Sequence, residues 1–402
     1  MLLLSDKGWP GPARLIHFTC QDFIGERGPT LMPGLDSTES KRLFARKVLS
    51  WYRTNGRRLP WRNVQDPYRI WVSEVMLQQT QVASAIRYYE RFLQAFPSVT
   101  HLAEADLQEV LKQWEGMGYY ARARHLHQSA RLIMERHKGL VPDQMRDLLS
   151  LPGIGRSTAG AILSIAFNQQ APILDGNVQR LLCRIYAVQE DPRQARVSRL
   201  LWQLSEAILL ERQAGPLNQG LMDIGALVCT PKTPSCPGCP LPSFCQAFHL
   251  NAQDRIPQPR RALPLPHREK AVAVIWWEGR VLLCRRPSPG LLGGLWEFPG
   301  WHLEGTAPAR PLLSQRLAEE CGLSVELEEE ILSFLHAYTH FREGIQVFHG
   351  RCRKPGRASR ADLRWVWTEE LERYPLSASQ RRIADFVNDR TRAESISIRR
   401  HQ

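Results

Sequence analysis

The feature that most constrains how this chain can fold is a change of pattern at the Pro-rich basic stretch IPQPRRALPLPHR, residues 256 to 268. Before it, from about residue 36 to 250, apolar residues recur at helical spacing, and no run alternates as a half-buried strand would. The breaks between these segments are rich in turn formers: TNGRRLPWR, GMGYY, HKGLVPD and LPGIG. After it, AVAVIWW and RVLLCRR flank an EG turn as in a β-hairpin, GIQVFHGRCR and LRWVWT read as further strands, and helices fit near 308–321 and 378–388. One layered fold cannot serve both halves. The reading is an all-α domain over 36–250, an extended linker over 251–269 and an α+β domain over 270–390. Residues 1–35, rich in Gly and Pro, read as a flexible extension, with Met32 an alternative start, and 391–402 as a mobile basic tail. Asp36 with Glu39 resembles a capping box opening the first helix, which carries Phe44, Val48, Trp51 and Tyr52.

At 402 residues, 43% hydrophobic and 23% charged, the composition is that of a globular protein rather than a disordered one. Its 53 Lys and Arg against 40 Asp and Glu give +13, which favours a polyanionic partner, nucleic acid ahead of an anionic membrane surface. No apolar run approaches the ~20 residues that cross a bilayer, and MLLLSDKG lacks the pattern of a secretory signal. A monomer without membrane contact, intracellular in the cytoplasm or nucleoid, is expected.

Of nine cysteines, Cys229, Cys236, Cys239 and Cys245 fall within seventeen residues in the spacing C-x6-C-x2-C-x5-C. An odd total without a secretory signal argues against a disulfide scaffold and for a metal site. Four thiolates hold tetrahedral zinc or a [4Fe–4S] cluster equally well, so ligand type alone leaves both open.

WVSEVMLQQTQV, residues 71 to 82, places Val72, Val75, Met76, Val82 and Ile86 on one helical stripe and Glu74, Gln78 and Gln81 on its neighbour. The reading is one helix with a polar edge, on which Glu74 is either a solvated charge or a desolvated acid held for chemistry. LPGIGRSTAGAIL, from Leu151, sets Gly153 and Gly155 in a tight turn before an apolar helix, an arrangement that lets backbone N–H groups approach a DNA phosphate. Some twenty residues on comes APILDGNVQR, with Asp175.

LPGIG followed by LDGNV resembles the helix-hairpin-helix DNA glycosylases. Within that superfamily LPWR, SEVMLQQTQV, GMGYYARAR and ILDGNV resemble the MutY-type adenine DNA glycosylases, over about residues 38 to 245 and again in the second domain. The resemblance implies base excision from double-stranded DNA carrying adenine opposite 8-oxoguanine or guanine. Glu74 is then the acid that protonates the departing adenine, Asp175 the carboxylate that answers positive charge on the sugar, and Asn177 its orienting neighbour. Trp61, Arg62 and Gln219 fall at the family's adenine pocket, although core packing competes as a reading of Trp61. Gln79, Thr80 and Tyr119 match residues beside the orphaned opposite base, while Tyr120 reads equally as core. The resemblance also selects iron–sulfur over zinc and gives the cluster loop, with Lys232, a stiffening role.

There are departures. Ser157 stands where endonuclease III-type relatives carry a nucleophilic lysine, which implies a glycosylase without a strong lyase step. Gln179 replaces a lysine found in some members. The second domain resembles Nudix hydrolases, but Gln315, Arg316, Leu317, Ala318, Glu319, Glu320, Cys321 and Gly322 lack residues of the metal-binding box. That fits the family's domain for recognising 8-oxoguanine, whose Phe-Ser-His loop corresponds to Tyr338, Thr339 and His340. The rival readings are a bifunctional endonuclease III-like enzyme, a non-catalytic iron–sulfur DNA-binding protein, and a Nudix hydrolase with a DNA-binding appendage.

Overall fold

The computed structural model describes residues 24–25, 28–29, 35, 37–258, 264–288, 290–305, 307–353 and 362–399. In chain order the elements begin with the paired strands β1 (Ile24–Gly25) and β2 (Gly28–Pro29). Helices follow: α1 (Thr38–Asn55), α2 (Pro67–Leu77), α3 (Val82–Ala95), α4 (Val99–Glu104), α5 (Leu107–Gln113), α6 (Ala121–His137), α7 (Met145–Leu149), α8 (Arg156–Ala166), α9 (Gly176–Ile185), α10 (Ala195–Ala207), α11 (Ala214–Leu227) and α12 (Gln246–His249). Beyond residue 264 come β3 (His267–Trp277), β4 (Arg280–Arg285), β5 (Trp296–Glu297), β6 (Gly300–Leu303), α13 (Ala309–Cys321), β7 (Val325–Ala337), β8 (Arg342–Cys352), β9 (Leu363–Trp367) and α14 (Ala378–Arg399). The compact units do not divide at the linker. One is Met1–Glu74 with Pro142–Arg261, and the other is Val75–Val141 with Ala262–Gln402. Among the described residues no helix is long and apolar enough to cross a membrane.

In the first unit, α1 opens on a capping box one residue later than expected. Ser37 Oγ accepts from the Ser40 N–H at 3.0 Å and Ser40 Oγ accepts from the Ser37 N–H at 3.3 Å, while Asp36 lies outside the described residues. The apolar face of α1 buries Phe44, Ala45, Val48 and Leu49 in a core shared with Val178, Leu181, Leu182, Leu221 and Ile224. The centre of this unit is α11, which three other helices approach at glycines. A Cβ on Gly215 would stand 2.5 Å from the Ser164 carbonyl oxygen of α8, one on Gly220 would stand 2.7 Å from Val48 of α1, and one on Gly225 would stand 2.8 Å from Asn177 of α9. Side chains at these points would push the helices apart, so the glycines set the spacing of the residues that face the site.

In the second unit, α3 to α6 pack together, and the sheet runs β5-β4-β3-β8-β7, with β6 paired to β3 and β9 to β4. β3 and β8 are parallel; the other pairs are antiparallel. One sheet face buries Val272, Val274, Phe334 and Val347 with Ile383 and Val387 of α14, and the other buries Ala273, Ile275 and Phe348 with Leu313 and Leu317 of α13. The expected β3–β4 hairpin is present, its turn made by Glu278 at φ 46° and Gly279 at φ 78°. Within this unit the segment 75–141 is tied to the sheet region. Tyr120, a core residue, donates to the Leu376 carbonyl at 3.1 Å, Trp296 Nε1 donates to Gln108 Oε1 at 2.8 Å, and Arg381 Nε pairs with Glu115 at 2.6 Å.

Two expectations need correction here. The single helix read across residues 71–82 is instead α2 ending at Leu77 and α3 beginning at Val82, separated by Gln78 to Gln81 with Gln79 at φ 57°. The break is held by Arg122, whose Nη1 donates to the carbonyls of Val75 (3.0 Å), Met76 (2.9 Å) and Gln78. These are carbonyls that a helix C-terminus leaves without partners. At the chain end, α14 continues to Arg399 through part of what was read as a tail.

Candidate active site

Two carboxylates converge in the first unit. Glu74 is carried on α2. Packing around its carboxyl pushes its pKa up from 4.5 to about 7, opposed by Arg62 and reinforced by the charge of Asp175. The residue as a whole keeps partial solvent access. Asp175 is the N-cap of α9. Its Oδ1 accepts from the backbone N–H groups of Asn177 (3.1 Å) and Val178 (2.8 Å), and its Oδ2 accepts from Asn177 Nδ2 at 3.0 Å. Burial lifts the Asp175 pKa, and these hydrogen bonds with the Arg180 charge oppose the lift. The environments therefore differ in kind: Glu74 has a nearby cation but no helix cap, whereas Asp175 is fixed by three donors that favour the ionised form.

Around Glu74 lies a network that sequence spacing did not reveal. Asp223 on α11 is fully buried and accepts from Arg57 Nε at 2.8 Å, from the Arg57 backbone N–H at 2.9 Å and from Arg62 Nη2 at 3.1 Å. Arg62 Nη1 also donates to the Tyr52 hydroxyl at 3.1 Å, and that hydroxyl donates to Gln219 Oε1. Arg62 is 9% exposed and its Nε has no partner among the described residues. Trp61, expected in the pocket, is buried at 5% exposure. Beside this network opens a cleft lined in part by Tyr52, Arg53, Arg57, Arg58 and Arg62, with an empty volume of about 1710 Å³ continuous with solvent. Its arginines suit an anionic partner.

Gly153, at φ 79°, and Gly155, the N-cap of α8, are both exposed, and nothing lies within 4 Å of a Cβ placed on Gly155. The backbone there is open to close approach. Ser157, the second residue of α8, accepts from the Leu174 N–H at 3.2 Å, tying the helix after the hairpin to the segment that leads into Asp175.

Cys229, Cys236, Cys239 and Cys245 all line one cavity with an empty volume of about 400 Å³. Arg184 Nη1 donates to Cys229 Sγ at 3.2 Å and the Leu241 N–H donates to Cys239 Sγ at 3.4 Å, contacts that suit thiolate sulfur. Burial and mutual repulsion push the Cys239 and Cys245 thiols up to about 11, a cost that a bound cation would reverse. Among the described residues no group of three or more His, Cys, Asp or Glu is placed to hold a single metal ion. Arg180, also missed in the sequence, donates to Asn177 Oδ1 at 3.0 Å and to the Cys229 carbonyl at 2.8 Å.

The remaining candidates belong to the second unit. Arg122 Nη2 donates to Thr80 Oγ1 at 3.1 Å and to the Gly118 carbonyl at 3.2 Å, so one guanidinium holds both the 78–81 turn and the loop before Tyr119. Gln79 is exposed at φ 57°, and Tyr119 has φ 48°. The Tyr119 hydroxyl reaches Thr339, which with His340 is exposed in the β7–β8 connection. Glu320 of the altered Nudix box is engaged by Trp301 Nε1 at 2.8 Å and by Arg316 at 3.4 Å.

Residues 72–207 match the family model of the HhH-GPD superfamily base excision DNA repair proteins, and residues 271–385 match that of the NUDIX domain. The chain is 35% identical to an adenine DNA glycosylase of Mus musculus over 89% of its length and 80% of the relative. It is 34% identical to one of Homo sapiens over 85% and 73%, and 37% identical to one of Buchnera aphidicola over 75% and 85%. A solved thermostable thymine-DNA glycosylase shares 26% identity over 52% of this chain and 96% of that one, at a TM-score of 0.47. The chain belongs to the adenine DNA glycosylase family. The resemblance and the two-part fold class read from the sequence are thereby borne out.

Proposed function

We propose that this protein removes adenine from double-stranded DNA where it stands opposite 8-oxoguanine or guanine, by hydrolysing the N-glycosidic bond. The observation that carries the reading is the pairing of Glu74, raised to about 7, with a capped Asp175. Adenine is a poor leaving group as an anion. Glu74 in its neutral form gives a proton to a ring nitrogen of the base, and the bond to the sugar weakens. Asp175, held by Asn177 and the N-terminus of α9, stabilises the positive charge that develops on the sugar, electrostatically or through a transient covalent bond, and water takes the place of the departed base. Trp61, Arg62 and Gln219 receive the flipped base, and the exposed backbone at Gly153 and Gly155 takes the phosphate.

The second unit supplies the reading of the opposite base through Gln79, Thr80, Tyr119, Thr339 and His340. Oxidation places a hydrogen on N7 of guanine, which an acceptor such as the Thr339 hydroxyl distinguishes at ~1 kcal/mol or somewhat more. Cys229, Cys236, Cys239 and Cys245 hold a [4Fe–4S] cluster whose part is to fix the loop that carries Lys232. Four thiols lining one cavity support this, a donor set that such a cluster takes. Ser157 offers no amine for a Schiff base, which favours a monofunctional enzyme over the bifunctional rival.

The test is single-turnover base release from duplexes with adenine opposite 8-oxoguanine, guanine and thymine. Release from the first two and little from the third is expected. Strand cleavage with trapped covalent enzyme, or release of another base in preference to adenine, overturns the reading.

A further inference from the structure

We infer that Tyr52 is a positioning residue that fixes the polarity of the Gln219 amide, so that the pocket offers hydrogen-bond donors to an unprotonated ring nitrogen of the extruded purine. This rests on the adenine-excision reading and deepens it. Proton counts decide the polarity. Guanidinium nitrogens only donate, so at the 3.1 Å contact Arg62 Nη1 donates and the Tyr52 oxygen accepts. The phenol has one hydrogen of its own, and Gln219 is its acceptor. With Arg62 donating into the phenolic oxygen, the atom of Gln219 that faces Tyr52 is Oε1. Burial keeps the Tyr52 proton in place by raising its pKa above the usual value.

Arg62 cannot turn away to release this order, because Asp223, fully buried, takes Nη2 of the same guanidinium at 3.1 Å. Flipping the amide would set its N–H₂ against Tyr52 and strand the phenolic hydrogen, which disfavours the flipped form by roughly tenfold or more. The Gln219 Nε2 hydrogens then have no acceptor among the described residues, although the residue is only 8% exposed. Arg62 Nε is a second donor without a partner. The buried Arg62 Nε, without a partner, and the solvent-reaching Gln219 amide together offer donors to a ligand with acceptors. Adenine has ring nitrogens that carry no hydrogen, whereas guanine carries one on N1. Where the fixed donor amide meets N1 it suits adenine and leaves a donor-against-donor clash with guanine, N3 and N7 being acceptors in both.

The test uses full-length protein and duplexes in which adenine is replaced by 1-deazaadenine, 3-deazaadenine or 7-deazaadenine, opposite one constant partner. Tyr52→Phe keeps the ring, which packs against Gly220 of α11, and removes only the hydroxyl. Unmodified protein is expected to lose about tenfold in single-turnover rate on one analogue beyond the one lacking the protonated nitrogen. Tyr52→Phe is expected to slow adenine by a similar factor but to add nothing on that analogue. Gln219→Glu keeps the acceptor for Tyr52 and removes the donors, and should show the same analogue-specific pattern. An unchanged melting temperature for Tyr52→Phe separates positioning from folding. Equal slowing of adenine and every analogue, or no slowing at all, overturns the inference while leaving adenine excision standing. Absence of adenine release by the unmodified protein removes both.

Discussion

The Tyr119 hydroxyl donates to Oγ1 of Thr339 at 2.9 Å, joining two residues 220 positions apart within the second unit. Two loops with candidate roles in reading the opposite base are thus held by each other. Tyr119→Phe and Thr339→Ala are each expected to reduce the preference for adenine opposite 8-oxoguanine over guanine by about three- to tenfold, with the double variant no worse than the single ones. Independent, multiplying losses in matched single-turnover assays would show that the bond does not link the two roles.

Glu74→Gln and Asp175→Asn should each abolish base release while sparing binding to the mismatched duplex. The same Glu74 ionisation sets the pH limb: with its pKa at about 7, the rate should fall about tenfold per unit above that value as the neutral acid is lost. A rate that stays flat to pH 9 in single turnover would falsify the assignment of Glu74 as the proton donor.

The acid should also cost stability. The folded pKa of Glu74, about 7, lies above the ordinary 4.5, so the folded state is disfavoured progressively as pH rises from 4.5 through 7. Partial solvent access limits the penalty to about 1–3 kcal/mol. Glu74→Gln should therefore match the unmodified melting temperature near pH 4.5 and exceed it at pH 8. Identical curves at both values would mean that the carboxyl is not desolvated.

Arg122 makes the case for a structural hub with a functional readout. Burial lowers its pKa to about 10, so it stays charged at neutral pH while serving Val75, Met76, Gln78, Thr80 and Gly118. Arg122→Ala strands several carbonyls and should cost about 3 kcal/mol or more in chemical denaturation. Arg122→Lys should recover charge but not the spread of contacts, and its discrimination between opposite bases should suffer more than its excision of adenine. Equal losses in both would reduce Arg122 to a role in folding.

Freshly purified protein should contain about four irons per chain with matching sulfide. Stoichiometric zinc without iron would remove the cluster from the description. Ser157→Lys, at the hairpin, should raise covalent trapping by borohydride above the low level expected of the unmodified chain, and efficient trapping without the substitution would revive the bifunctional reading.

Much of the helical half was legible because helical periodicity and Gly- or Pro-bearing breaks agree there, and the β3–β4 hairpin because Glu278 and Gly279 accept the left-handed turn. β7 escaped notice for a physical reason. It is an edge strand of the order β5-β4-β3-β8-β7, largely unburied, and register shifts between Leu327 and Leu332 break the period of two that reveals a strand. Glu74 and Asp175 could be picked out by motif, but the partners that shape them could not. Tyr52, Arg57 and Asp223 meet across separations of 166 or 167 residues with Gln219, and nothing local marks a buried ion pair. Arg122 reads as one more basic residue on an amphipathic helix until its carbonyl partners are in place.

The division of the chain into interleaved units has a consequence for its synthesis. Residues 75–141 pack with a region that begins at residue 262, so they leave the ribosome long before their companions exist. At roughly 5–20 residues per second, the last of these helices waits some tens of seconds for the C-terminal sheet to be translated. During that interval Tyr120 has no Leu376 carbonyl to reach, and Gln108 has no Trp296. The second unit is therefore the last to be finished, and the nascent chain must shelter the apolar helix faces of residues 75–141 until it is.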